Sequence, residues 1–215
     1  MNKPAVIRTD YSGKPLDLDS VAPDPLEQLQ TWFDEAVAAE IPDVNAMTLA
    51  TIGLDGSPRA RMVLMKGLSQ DGVSFFTNYD SDKGEELAAD GRVSLCFFWQ
   101  PLSRQVRIVG VAQRVPAEAS SEYFLSRPLL SRLGAWASPQ SRQIESREWL
   151  QGQFAHYKDR FGDEVPRPEH WGGYIVTPHR CEFWQGRRAR LHDRVVYDRD
   201  GDGDGDAWVR TRLAP

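Results

Sequence analysis

Apolar residues first recur at helical spacing at Leu26, Leu29, Phe33, Ala36 and Val37, which predicts an amphipathic helix from Pro25 to about Glu40. Asp24 supplies an N-cap acceptor, and Pro25 suits the first helical position, where no backbone donor is needed. Ahead of it, residues 1–24 carry Pro, Asp and Gly without period and read as a mobile arm. From Ala46 the period changes to two. "AMTLATI", "RARMVLMK" and "VSFFTN" predict strands, separated by "GLDGSP" and "SQDG", both with turn chemistry. A short helix follows in "SDKGEELAAD", capped by Ser81, and "RVSLCFFW" and "RQVRIVGVAQRV" then form another strand pair. Five strands in about seventy residues, joined by tight turns, close naturally as an antiparallel barrel, because closure removes exposed sheet edges.

Helical patterning returns from Ala117 to about Phe161, broken near "RPLLSRLGAWASPQS". "WGGYIVTP", "CEFWQG", "DRVVYD" and "AWVRTRL" supply the remaining strands. The expected fold class is therefore α+β, one antiparallel barrel with helices packed outside it, in a single domain over residues 25–215.

Charge and composition narrow the function. A formal net charge of -5 argues against a general nucleic-acid binder. The N-terminus lacks the apolar core of a signal peptide, no apolar run approaches spanning length, and Cys96 and Cys181 read as buried free thiols. A cytoplasmic protein without nucleic-acid or membrane partners is expected. "DRDGDG" from Asp198 opens like a calcium loop, but the closing glutamate position holds Val209, so an acidic hairpin turn is the reading. The four histidines have neither paired spacing nor cysteine partners, so no metal site is expected.

Basic residues inside apolar strands stand out. Arg61 and Lys66 interrupt "RARMVLMK", and the same mixture recurs in "SRQVRIVG", "YFLSRPLLSR" and "EFWQGRRARLHDR". Solvated edge-strand charges are one reading of Arg61 and Lys66; anion binding is the other. Tyr123, Arg127 and Ser131 are spaced by four, so on one helix they would form a donor array suited to a phosphate. Several donor sets on a barrel suggest a flat, phosphorylated ligand, and flavin mononucleotide (FMN) is such a molecule.

The blocks "RMVLMK", "FFTNYDSDKG", "RQVRIVG", "YFLSRP", "GAWASPQS", "WGGY", "EFWQGRRARLHDR" and "RLAP" occur in order from about Asp24 to Pro215. Together they resemble the pyridoxamine 5'-phosphate oxidase family. That resemblance implies an FMN-binding split β-barrel and a homodimer with FMN at the subunit interface. It also implies oxidation of pyridoxamine or pyridoxine 5'-phosphate to pyridoxal 5'-phosphate, with O2 reduced to hydrogen peroxide.

For the cofactor, the resemblance implies Arg61, Met62, Val63, Leu64, Met65 and Lys66 along the flavin, then Phe76, Thr77, Lys83, Gln105, Gln140, Ser141, Trp184 and Arg194. For the substrate it implies Lys66, Tyr123, Arg127 and Ser131 at the phosphate, with Arg190 and His192 as the catalytic pair over the pyridine ring. The family commonly has a basic residue where this chain has Asp82, and an aspartate beside a phosphate would repel it. Arg190, His192 and Arg194 alternate, so on a strand they would share one face, with Arg187 and Arg188 solvated in the turn. Two rival readings are an FMN oxidase of another reduced ring, of dihydrophenazine type, and a flavin- or pyridoxal-phosphate-binding protein without turnover.

Overall fold

A computed structural model describes residues 11, 13–199 and 207–215. Alternation becomes sheet. Strand β1 (Ala46–Ile52) buries Met47, Leu49 and Thr51 and leaves the residues between them half-covered. Strands β2 (Pro58–Leu64), β3 (Gly67–Ser69), β4 (Gly72–Asn78), β5 (Arg92–Trp99) and β6 (Arg104–Arg114) follow, then β7 (Trp171–Gln185), β8 (Asp193–Arg199) and β9 (Trp208–Leu213). They form a nine-stranded sheet in the order β2-β1-β5-β6-β7-β4-β3, with β8 and β9 added beside β7. Every pairing is antiparallel. β7 lies along β6 on one side; on the other, its first half pairs β4 and its second half pairs β8. That fork splits the curled sheet, giving the expected α+β split barrel.

The barrel interior holds Leu49, Phe75, Leu95, Phe97, Val106, Ile108 and Phe183, each at most 1% exposed. Helix α1 (Pro25–Ala38) covers it with Leu29, Trp32 and Ala36. Asp24 caps that helix, accepting from the backbone of Leu26 at 2.7 Å and Glu27 at 3.3 Å. Helix α2 (Asp82–Ala89) starts at Ser81, whose Oγ accepts from the backbone N–H of Gly84. A second apolar cluster, around Phe124, Leu133, Val165 and Trp171, seats α3 (Ala117–Ser126), α4 (Leu129–Ala137) and α5 (Arg147–Phe161).

Several expectations are corrected. "WGGYIVTP" and "CEFWQG" are one strand, because Pro178 falls beside a bulge between Val109 and Gly110, where the ladder needs no donor from it. A side chain at Gly110 would collide with the Thr177 carbonyl, so the close approach requires glycine. β3 was hidden by its three-residue length. Within the arm read as mobile, residues 1–10 and 12 lie outside the described residues, but the rest is docked. Leu16 and Val21 are buried, and Leu16 donates its backbone N–H to Asp193 at 3.1 Å. An extended segment laid along a surface has no helical or strand period to announce it. The acidic turn between β8 and β9 includes residues 200–206, which lie outside the described residues.

Candidate active site

β2 ends the sheet path and pairs only with β1, so its other edge is open. A cavity of about 710 Å³ wraps this edge. Arg61, Met62, Val63, Leu64 and Lys66 form one wall; Phe76, Thr77 and Asn78 on β4 and Lys83 on α2 form another. Tyr123, Arg127, Ser131, Gly134, Ala135, Ser138, Gln140 and Trp171 complete it. Twelve of the residues implied by the resemblance therefore meet in one place. Met65 does not join them; its side chain is buried in the core. Ser141, at φ 70°, is exposed beside the cavity-lining Gln140, which Thr77 Oγ1 reaches at 3.2 Å.

One end of the cavity is cationic and built into the fold. Arg61 donates to Glu86 Oε2 at 2.7 Å and also to Thr51, while the Thr51 hydroxyl donates to Glu86 at 2.6 Å. Glu86 and Thr51 line no ligand wall; they hold Arg61, and their separation in the chain hid them. Lys83 is 8% exposed, and its Nζ donates to Ser81 Oγ at 3.3 Å. Burial first, then the charge of Arg61, pushes the Lys83 ammonium down from its ordinary value. Asp82 is near enough for its negative charge to act on Lys83, against that fall. Its side chain is exposed and faces Arg142 at 3.6 Å.

The other end is set by a break, not by a helix face. α3 stops at Ser126, Arg127 is extended at φ -73° and ψ 148°, and α4 begins after Pro128. Tyr123, Arg127 and Ser131 thus converge across a corner rather than along one helix, because Pro128 cannot continue α3. Arg127 lies 4.5 Å over the Trp171 ring, Tyr123 stacks on Phe76 with centroids 3.9 Å apart, and Arg127 Nη1 is buried without a hydrogen-bond partner. Burial pushes the Arg127 pKa down, and the Tyr123 hydroxyl is pushed up by its own burial. A buried unpaired guanidinium nitrogen is costly unless an anion completes it. Two separated cationic groups, an open strand edge and aromatic walls fit FMN together with a second anionic ligand.

The remaining implied residues lie elsewhere. Gln105 stands directly opposite Trp184, and Trp184 directly opposite Arg194, so the three form a row across β6, β7 and β8. The neighbouring row runs Met62, Thr48, Cys96, Arg107, Glu182, which puts cavity-lining Met62 on the same sheet face. At about 4.8 Å per strand, five spacings set Arg194 roughly 24 Å from β2 along the sheet. That face carries uncovered apolar side chains: Met62, Phe98 and Val111 are 62%, 54% and 42% exposed.

Arg190 and His192 are not on a strand. β8 starts at Asp193, and Ala189 and Arg190 take the left-handed region at φ 53° and 60° to reverse the chain. Arg190 is exposed there. His192 Nδ1 accepts from the backbone N–H of Arg187 at 3.0 Å, which leaves the proton of the neutral ring on Nε2. Burial, then Arg190, pushes the His192 pKa down, favouring that neutral form. Tyr11 packs edge-on against both Trp184 and His192. Arg187 is half-buried rather than solvated, bonded to the Gly13 carbonyl and 3.4 Å from Asp193.

A split antiparallel barrel with a cationic cavity at a free strand edge suits a phosphorylated, planar cofactor such as FMN. Residues 33–161 match the model described as pyridoxamine 5'-phosphate oxidase, and residues 171–215 the pyridoxine 5'-phosphate oxidase C-terminal dimerisation region. Pyridoxine/pyridoxamine 5'-phosphate oxidase 1 of Ralstonia nicotianae is 54% identical over 215 residues, all of both chains. Pyridoxine/pyridoxamine 5'-phosphate oxidase of Bordetella pertussis is 53% identical over 209 residues, 97% of this chain and 98% of its own. Among solved structures, PhzG from Burkholderia lata 383, in complex with tetrahydrophenazine-1-carboxylic acid, superposes with a TM-score of 0.88. It is 30% identical and covers 95% of this chain and 100% of its own. The chain belongs to the pyridoxamine 5'-phosphate oxidase family, and it is an FMN-dependent oxidoreductase.

Proposed function

We propose that the protein oxidises pyridoxamine 5'-phosphate, by way of an imine that water hydrolyses with release of ammonia, and pyridoxine 5'-phosphate directly, to pyridoxal 5'-phosphate, with O2 reduced to hydrogen peroxide. The observation that carries this reading is the buried, unpartnered Arg127 Nη1, in one cavity with Lys66, Tyr123 and Ser131. Those four hold the substrate phosphate, while Arg61, Thr77, Lys83 and Gln140 hold the FMN phosphate. Bound there, FMN would supply the hydride acceptor and the route for electrons to O2. Hydride leaves the C–NH2 carbon more easily when the amine is neutral, and the guanidinium of Arg190 disfavours the ammonium form by like-charge repulsion. His192, protonated on Nε2, donates a hydrogen bond to the substrate and holds its ring.

Met62 and Leu64 share an uncovered face with Arg194, farther along the sheet than one mononucleotide reaches, which supports a homodimer. The row Gln105, Trp184 and Arg194, with Arg190 and His192, then completes the cavity of the partner subunit. No described helix is long and apolar enough to cross a membrane, and both cysteines are free thiols, which supports a cytoplasmic enzyme.

The likeness to PhzG favours a second reading, a reduced phenazine-type ring, since an Arg127 guanidinium also suits a carboxylate. Anaerobic mixing separates them. Pyridoxamine 5'-phosphate should bleach the flavin and, on admission of air, yield aldehyde and peroxide. Bleaching by tetrahydrophenazine-1-carboxylic acid alone would instead establish the second reading, and bleaching by neither would overturn both.

A further inference from the structure

Glu182 is a buried charge that the proposed chemistry leaves without a role. It is 4% exposed on β7, its Oε1 accepts from Arg194 Nε at 2.9 Å, and its Oε2 accepts from the Arg107 guanidinium. Burial alone would raise this carboxyl, but hydrogen bonds from Arg194 and then Arg107 outweigh it and hold Glu182 below the ordinary range. The register explains the cluster. Arg107 stands directly opposite Glu182, Trp184 is two residues on along the same face, and Arg194 stands opposite Trp184, so Glu182 meets Arg194 diagonally. Arg194 is held at a second point, because its Nη1 donates to the Ala214 carbonyl at 2.9 Å. Its Nη2 makes no hydrogen bond among the described residues.

Two guanidiniums against one carboxylate leave the cluster at about +1 in formal charge, so it still favours an anionic ligand. An arginine loses rotamer freedom when a ligand fixes it; one already fixed by its own protein does not impose that loss on binding. We propose that Glu182, with the Ala214 carbonyl as the second anchor, is a positioning residue that pre-orients Arg194 toward the flavin. This rests on the reading that Arg194 contacts FMN in the assembled site.

The test is FMN titration of the full-length apoprotein, followed by flavin fluorescence, for Glu182→Gln, Arg194→Met, the double variant and Arg107→Met. Glu182→Gln should raise the FMN Kd about tenfold, and in the Arg194→Met background it should add less than about twofold. Arg107→Met should leave the Kd within about twofold, because the Glu182–Arg194 contact remains. Full additivity in the double variant, or an unchanged Kd in Glu182→Gln while Arg194→Met binds weakly, would overturn the positioning role alone. An unchanged Kd in Arg194→Met would overturn the underlying placement of Arg194, and the proposal with it. Should Glu182→Gln fail to fold, Glu182→Asp keeps the charge but draws the carboxylate back from Arg194 Nε. That variant should raise the Kd about threefold, and an unchanged value would sink the clamp.

Discussion

Arg61 and Lys83 sit where the chain closes on itself, in a cavity whose walls come from β2, β4, α2 and the α3–α4 corner, and whose cations are braced by buried Glu86 and Ser81. Gln105, Trp184 and Arg194 sit on an open sheet face next to exposed Phe98 and a left-handed turn. The first group is concave and shaped by one chain. The second is a row of side chains awaiting a surface to face. The difference fits the proposed homodimer, in which one subunit supplies a binding cavity and a separate set of contacts that only assembly would bring together.

Breaking the cavity side should have the largest effect. Arg61→Met leaves Glu86 buried without its cation, which should cost about 3–5 kcal/mol of stability in denaturant unfolding of the apoprotein. A loss below about 1 kcal/mol would mean that Thr51 and the charge of Lys83 together satisfy Glu86. Next comes the sheet face. Phe98→Glu should yield a folded monomer by light scattering and weaken FMN binding by about a hundredfold, though Phe98 does not line the cavity. A monomer with wild-type FMN affinity would show that the cavity of one chain suffices.

Arg127→Ala should raise KM roughly ten- to a hundredfold with FMN retained, a charge-assisted bond being worth ~1.5–3 kcal/mol. Loss of flavin instead would exchange the two phosphate assignments. Lys83 sharpens the same side through pH. Its depressed pKa means that the free site gives up the proton below the ordinary lysine value of 10.5, whereas a bound phosphate favours the ammonium. FMN binding therefore takes up a proton in that window, so affinity should fall as pH rises, by at most about tenfold per pH unit. Lys83→Met should flatten that slope; an unaltered slope would remove Lys83 from the phosphate site.

The smallest effect is expected in the turn. His192→Asn keeps an acceptor for the Arg187 N–H, so anaerobic flavin reduction should slow only about fivefold, roughly one hydrogen bond, with its pH profile intact. Disappearance of the pH dependence would make His192 a base.

Strand and helix identity was legible in the chain wherever burial is local and periodic. "AMTLATI" and "RVSLCFFW" are β1 and β5 residue for residue, and Ser81 and Asp24 cap the helices their chemistry predicts. The ordered blocks likewise hold eleven of the implied residues that line the cavity, and the resemblance they carry adds Ser131. What the chain could not display is any relation set by distant residues. The period of four that suggested a helical donor array at Tyr123, Arg127 and Ser131 was overridden by Pro128, yet the corner it forms brings the same three together. The alternation at Arg190, His192 and Arg194 was overridden by two left-handed residues that reverse the chain. Glu86 bracing Arg61, Glu182 bracing Arg194, and Leu16 docked beside Asp193 join residues 25, 12 and 177 positions apart. Periodicity reports which face of an element is buried; which partner buries it is decided only when the sheet curls and sets those positions side by side.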